Sequence, residues 1–354
     1  MALKTLARVV VCGVLVARAP IASAQSVAVE LDQSAGYSTE DVAAAHTKLR
    51  AFGDLLPSIR FNVTGTWGKQ SEESDAFAAA YPYTEHPVVL DAYAERTFRP
   101  AGRLFGVRVG RYRTPFGISS ESDQGYVGFE RNPLIRYDDF FALSSTFFEH
   151  GADVMFGSPR ASLEASLGAP GDVGEHTRAT GLDTVLRGQF VAGSLIVGAS
   201  YIDTRPHLAR DDDGRASPLA ADIGDVDLET HDVAPGRATF GGIDLRWMRD
   251  GVQLRGEYIA GRPFDGARTH GGYADLIVHR PFMGPITAAL RAERITHTDA
   301  GALMLQGERY TAATRVRLPR GFAAHLEIVH NSRALPGRRA TAADVALSYS
   351  VRLE

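Results

Sequence analysis

The chain has 354 residues, is 44% hydrophobic and 23% charged, and carries a formal net charge of −4. Its single cysteine, Cys12, lies in the first turn of sequence, so a disulfide framework, thiol catalysis and Cys-ligated metal are excluded for everything downstream. The mild acidic excess argues against a nucleic-acid partner. No apolar run reaches the ~20 residues that a membrane-spanning helix needs.

Residues 1–24 read as a secretory signal. Lys4 and Arg8 form a basic start, Val9 to Val16 is a short apolar run, and Ala22-Ser23-Ala24 is a small-residue cleavage site before Gln25. Removing Lys4, Arg8 and Arg18 takes the net charge from −4 to −7 and leaves Lys48 and Lys69 as the remaining lysines, so positive charge is almost entirely arginine.

The next segment, Gln25–Pro57, reads two ways. Ser38-Thr39-Glu40-Asp41 resembles a helix start, with Val42 to Phe52 as a short helix. Alternatively Val27, Val29 and Leu31 begin one strand and Ala44–Phe52 forms another, turning at Gly53-Asp54, with His46, Lys48 and Arg50 on one side.

From Ile59 onward the chain alternates with period 2 in segments of about ten residues, the pattern of a strand with one apolar and one polar face. Ile59, Phe61, Val63 and Trp67 oppose Arg60, Asn62, Thr64 and Thr66. Phe105, Val107 and Val109 oppose Arg108. Leu163 and Leu167 oppose Ser162, Glu164 and Ser166, and Leu182, Leu186 and Phe190 oppose Asp183, Arg187 and Gln189. Ile243, Leu245 and Trp247 oppose Asp244 and Arg246; Leu254 and Tyr258 oppose Arg255 and Glu257. Val316 and Leu318 oppose Arg315 and Arg317, Leu326 and Ile328 oppose His325 and Glu327, and the last run sets Val345, Leu347, Tyr349, Val351 and Leu353 against Asp344 to Arg352. Leu90–Phe98, Ala152–Gly157, Ser194–Asp203, Tyr273–His279 and Ile286–Ile295 are weaker members.

That makes fourteen strands. Short turns at 99–102, 158–160, 192–193, 249–251, 280–285 and 319–321 alternate with longer polar loops without a break of parity. A closed transmembrane antiparallel β-barrel, all-β, requires such an alternation: tight turns at one rim and long loops at the other. Reading Gln25–Pro57 as two strands keeps the parity and raises the count to sixteen, so residues 25–354 form one barrel domain. In a membrane barrel the polar faces turn inward. Lumen-lining candidates are then Arg60, Arg96, Arg108, Arg187, Arg246, Arg255, Arg291, Arg315 and Arg317, with Asp244, Glu257, Glu293 and Glu327 among the acids.

Two loops stand apart. Residues 117–151 mix aromatics (Tyr126, Phe129, Tyr137, Phe140, Phe141, Phe147, Phe148) with paired charges, a composition unlike a disordered segment. Folded inward, this loop would bury its aromatics, narrow the pore, and present Glu130, Arg131, Arg136, Tyr137, Asp138 and Asp139 to the solute. Residues 205–238 are acidic, from Asp211-Asp212-Asp213 to Asp232, without EF-hand spacing, and read as a solvated extracellular loop. No nucleophile elbow, His-Glu-x-x-His or phosphate-binding glycine loop occurs, and the histidines lack metal spacing; neither an enzyme, a metal nor a cofactor is expected. A catalytic barrel and a secreted soluble binding protein are the contrasting readings.

Val107-Arg108-Val109-Gly110-Arg111-Tyr112-Arg113-Thr114-Pro115-Phe116-Gly117 resembles the early-strand signature of the phosphate-selective porin O and P superfamily, as do Trp247 to Tyr258 and His150-Gly151-Ala152-Asp153-Val154. The resemblance implies a sixteen-stranded outer-membrane barrel, trimeric, whose early long loop narrows the pore. The expectation is a passive channel in the outer-membrane lipid of a Gram-negative-type bacterium, passing small hydrophilic solutes or anions.

Overall fold

A computed structural model describes residues 26–56, 58–72, 76–77, 87–118, 128–136, 148–171, 180–207, 237–262, 268–279, 284–299, 302–333 and 339–353. The signal-peptide reading of residues 1–24 falls outside these, as do Tyr137, Asp138, Asp139 and most of the acidic loop.

Sixteen antiparallel strands close on themselves. They are β1 (Ser26–Ser38), β2 (Val42–Leu56), β3 (Ile59–Gln70), β4 (Val88–Phe98), β5 (Leu104–Arg113), β6 (Phe148–Gly157), β7 (Ala161–Gly171), β8 (Thr180–Ala192), β9 (Leu195–His207), β10 (Ala238–Arg249), β11 (Val252–Arg262), β12 (Arg268–Val278), β13 (Ile286–Asp299), β14 (Ala302–Arg317), β15 (Phe322–Arg333) and β16 (Thr341–Leu353). Each pairs with its sequence neighbours, and β1 pairs with β16 from Val29↔Leu353 to Ser38↔Asp344, so no edge is left open. The helical reading of Gln25–Pro57 is thereby replaced by two strands.

Alternation fixes what each face does. Leu163, Leu186, Ile243, Leu290, Ile328 and Leu347 stand exposed on the outside, whereas Asp153, Arg187, Asp244, Arg255, Glu327 and Asp344 are buried on the inside. That inversion of the usual burial rule belongs to a sheet facing hydrocarbon. Tight turns at one rim are chemically specified: Ala101-Gly102, Asp250-Gly251 and Arg320-Gly321 each place two consecutive residues at positive φ. Paired positive φ values are the signature of type I′ turns, whose twist matches that of the strands they join.

Three details differ from the sequence reading. Gly53-Asp54 does not turn; it lies inside β2, paired with β1 and β3, and the reversal comes at Ser58, which has φ 72°. The long-loop rim is uneven. Strand β13 runs on to Asp299 and β14 begins at Ala302, while only Thr39–Asp41 joins β1 to β2. Residues 296–299 and 302–313, outside the strands expected from alternation, are paired strand, because ladder hydrogen bonds tolerate polar side chains that point into a wet lumen or beyond the lipid. Arg96 is exposed on the outer face, over the Phe98 ring at 4.6 Å; Glu95 reaches inward to Arg108, and the pleat sends its neighbour the other way.

Candidate functional site: a lumen crossed by a docked loop

Strands β5 and β6 are the shortest in the barrel, ten residues each against sixteen in β14. The chain after β5 therefore leaves the wall below the rim, inside the lumen. Its root rests on β9 and β10. The Gly117 amide donates to Ser200 Oγ at 3.1 Å, and the Phe116 ring sits where a Cβ on Gly242 would approach it to 3.0 Å.

Residues 128–136 then lie against the far wall. Phe129 is buried with Ile277, Ala289 and Ala313, its ring 3.9 Å beneath the Arg291 guanidinium. Leu134 and Ile135 enter an apolar patch made by Val185, Ile202, Phe240, Ile259, Tyr273 and Ile295, inward-facing residues that interrupt the polar lining. The wall also reads the loop's backbone. Glu130 N–H donates to Glu327 Oε2 at 2.7 Å and Leu134 N–H to Glu293 Oε2 at 2.6 Å. Arg291 donates to the Arg131 carbonyl at 3.2 Å, and Arg309 donates to the carbonyl of Asn132.

Arg131 finishes the docking. Its guanidinium bonds Asp344 on β16 at 2.7 and 3.0 Å and Glu40, in the β1–β2 turn, at 2.7 Å. The loop tip thus spans the seam where the first and last strands meet. His325 Nδ1 lies 2.7 Å from Glu130 Oε1. The expectation that Glu130 and Arg131 stand free to meet a solute is corrected: they are 8% and 2% exposed, Glu130 set against His325 and Arg131 held by Asp344 and Glu40. Arg136 closes a short 3₁₀ turn after Leu134.

Behind the loop, the predicted lining forms a fused ion-pair network. Asp275 joins Arg255 at 2.8 Å and Arg291 at 2.8 Å, and Arg309 joins Glu293 at 2.6 Å; each side chain is at most 2% exposed. Arg187 pairs with Asp244 at 3.1 Å on the adjoining wall, and Glu257 is buried beside Arg255 on the same face of β11. Arg246 and Arg315 also face inward, Arg315 beneath Gly128, and Arg317 is exposed at the short-turn rim. Asp275, Arg309, Asp344 and Glu40 complete the network, although sequence reasoning did not single them out. Asp275 and Arg309 sit in a weakly read strand and a stretch read as loop.

The opposite wall is open. Two adjoining cavities, of about 660 and 390 Å³, run along β1–β5 and β7 and share Arg50, Asn62 and Tyr93. Their cations are Lys48, Arg50, Arg60, Arg108, Arg113 and Arg352; their acids are Asp54, Asp91, Glu95 and Glu164. Aromatic rings carry the arginines. Arg50 and Arg352 lie 4.5 and 5.1 Å from the Phe52 centroid, and Arg108 lies 5.1 and 5.5 Å from Tyr93 and Tyr112. Such stacking holds a guanidinium in place without neutralising it. A second inward segment narrows the lumen at the long-loop end: Ala76 and Phe77, buried on Val42 and Ala44. Sequence reasoning did not single this segment out. Among the described residues no group of three His, Cys, Asp or Glu could hold a metal ion.

No family model and no curated protein matches the chain. Solved structures do. OmpF of Salmonella typhi, in complex with daunomycin, aligns with TM-score 0.63 at 10% identity, covering 92% of this chain and 97% of its own. OprB of Pseudomonas putida aligns with TM-score 0.60 at 8% identity over 92% and 93%. The fold is that of the porins. An outer membrane protein of Vibrio cholerae, OmpT in a trimer form, aligns with TM-score 0.53 at 8% identity over 93% and 98%.

Proposed function

We propose that this chain is a passive outer-membrane channel for small hydrophilic solutes with a preference for anions, exported by a cleaved signal and assembled as a trimer. The observation that carries the reading is the division of the lumen. A loop is fixed across one wall, and two adjoining cavities lined by six cations and four acids are left along the other. A sixteen-stranded barrel encloses more space than its side chains fill, so transport needs no chemistry; width and lining charge set selectivity. No catalytic step is assigned.

Support for the location comes from the apolar exterior together with the porin fold. Support for a trimer is that OmpT of Vibrio cholerae takes a trimer form. The finer kinship with phosphate-selective porins rests on residues 107–117, which build β5 and the loop's root. Lys48 is the one lysine on the open path, so the solute class proposed is small anions broadly rather than phosphate alone.

Planar-bilayer recording across a potassium chloride gradient tests it. A reversal potential on the chloride side is expected. A cation-selective or non-conducting barrel, from protein that migrates as a folded heat-modifiable band, would overturn it.

A further inference from the structure

The outer surface of β11–β13 is graded along the strands. Leu254, Leu276 and Leu290 pair in one level row, exposed, on three neighbouring strands. Four residues further along β11, about 13 Å at the rise of a strand, Tyr258 is 46% exposed, with its ring centroid 6.4 Å from that of His270. Level with Tyr258 and beyond it stand Arg294, His270, Arg268 and Arg262, all exposed on the same face. Hydrocarbon, interface and headgroup levels are thus written in order: leucine, tyrosine, arginine.

The cations in this sector are held less tightly than two other rim arginines. Arg237 is held by Asp203 at 2.7 and 2.9 Å, and Arg339 by Asp41 at 3.0 Å. In the β11–β13 sector Arg294 reaches Glu308 only at 3.7 Å, and Arg262 and Arg268 form no ion pair among the described residues. The sequence adds one acid, Asp265, in the connection between them. Three arginines and a histidine on adjacent strands, at and above the level of Tyr258, match in charge and height one occupant: the phosphorylated headgroup of a lipid whose chains lie along the leucine row.

We propose that Arg262, Arg268, His270 and Arg294 form a binding site for a phosphorylated outer-leaflet lipid on the outside of the barrel. The inference rests on the membrane-barrel reading and adds a ligand on the face opposite to the channel.

The test uses the full barrel in detergent, with diphosphorylated lipid A as the probe and native mass spectrometry as the readout. The triple variant Arg262→Gln/Arg268→Gln/Arg294→Gln should retain the lipid about 100-fold less tightly, taking roughly fivefold per arginine near a charged surface. Arg237→Gln, at a rim arginine already paired, should stay within about twofold. Dephosphorylated lipid should bind the wild type no better than the triple variant binds the intact lipid. Equal binding by the triple variant, or equal binding of dephosphorylated lipid, would overturn the proposal; so would competition by inorganic phosphate at matched concentration, which would mark a free-anion site. Should the triple variant fail to fold, the phosphate dependence of wild-type binding decides alone. A wild type without heat-modifiable migration would bring down the barrel reading itself.

Discussion

On the wall formed by β11–β16, the principal ion pairs close at 2.6–2.8 Å between side chains at most 2% exposed. On the wall formed by β1–β7, Arg50–Glu30, Arg60–Asp54 and Arg108–Glu95 stand 3.3–3.6 Å apart, with side chains 17–70% exposed. Residue types are the same on both. The difference is what covers them. Under the docked loop, arginines and carboxylates are dry, and each satisfies the others or the loop backbone; removing one strands its partners. Along the cavity these pairs are longer and, apart from the contact of Arg108 with buried Asp153, wet; such pairs contribute little to stability and leave their field available to a passing ion. One wall holds a loop, the other faces the solute.

The largest expected effect breaks the covered wall. Arg131→Ala leaves Asp344 and Glu40 buried without their guanidinium, at a cost of about 3–5 kcal/mol, read as a lower unfolding temperature of the heat-modifiable band and as flickering single-channel current. A quiet, fully stable Arg131→Ala channel would mean the loop is held by its apolar contacts alone. Next comes the lipid side of that wall: Leu290→Arg, on β13 and exposed outward, should impair folding into bilayers by about 2–4 kcal/mol. Trp247→Arg, set in the same row by its pairing with Leu254, should carry a penalty of the same order. Normal insertion of both variants would contradict the assignment of faces.

Smaller in energy but diagnostic is the open wall. Reversing Arg50 and Arg60 to Glu should move the anion-to-cation permeability ratio by on the order of tenfold toward cations, allowing about 1 kcal/mol per reversal after screening. Unchanged reversal potentials would take the cavity out of the conduction path. Smallest is Arg50→Ala, which should change the unfolding transition by less than about 1 kcal/mol, since its side chain is 38% exposed and its Glu30 contact 3.6 Å long.

Much of this was legible in the sequence. Period-2 alternation gave the strands, the sense of the faces and the sixteen-strand count, because lipid on one side and water on the other impose one chemical rule on every strand. Within the loop, residues 128–136 dock on the wall through Phe129, Leu134 and Ile135, apolar side chains that a solvated loop would not carry. The rest depended on contacts distant in sequence. Arg131 looked like a solute-facing charge, since nothing local reveals that Glu40 and Asp344, 91 and 213 positions away, converge on it. Arg309 looked like loop because Gln306, Glu308 and Arg309 lack the apolar partners that announce a strand, although β14 pairs through them. The patch of Val185, Ile202, Phe240 and Ile259 breaks the polar-inside rule where Leu134 and Ile135 need an apolar seat.

The division of the lumen is tested most directly by thiol accessibility, for which a chain without cysteine after position 12 is a ready background. Arg50→Cys places a thiol on the open wall, and Ala313→Cys places one beneath Phe129 on the covered wall. A sulfonate-bearing methanethiosulfonate added during planar-bilayer recording should react at position 50 and reduce the current within seconds to minutes, while position 313 stays protected and its current unchanged. Rapid modification at 313, or a current indifferent to modification at 50, would contradict the account.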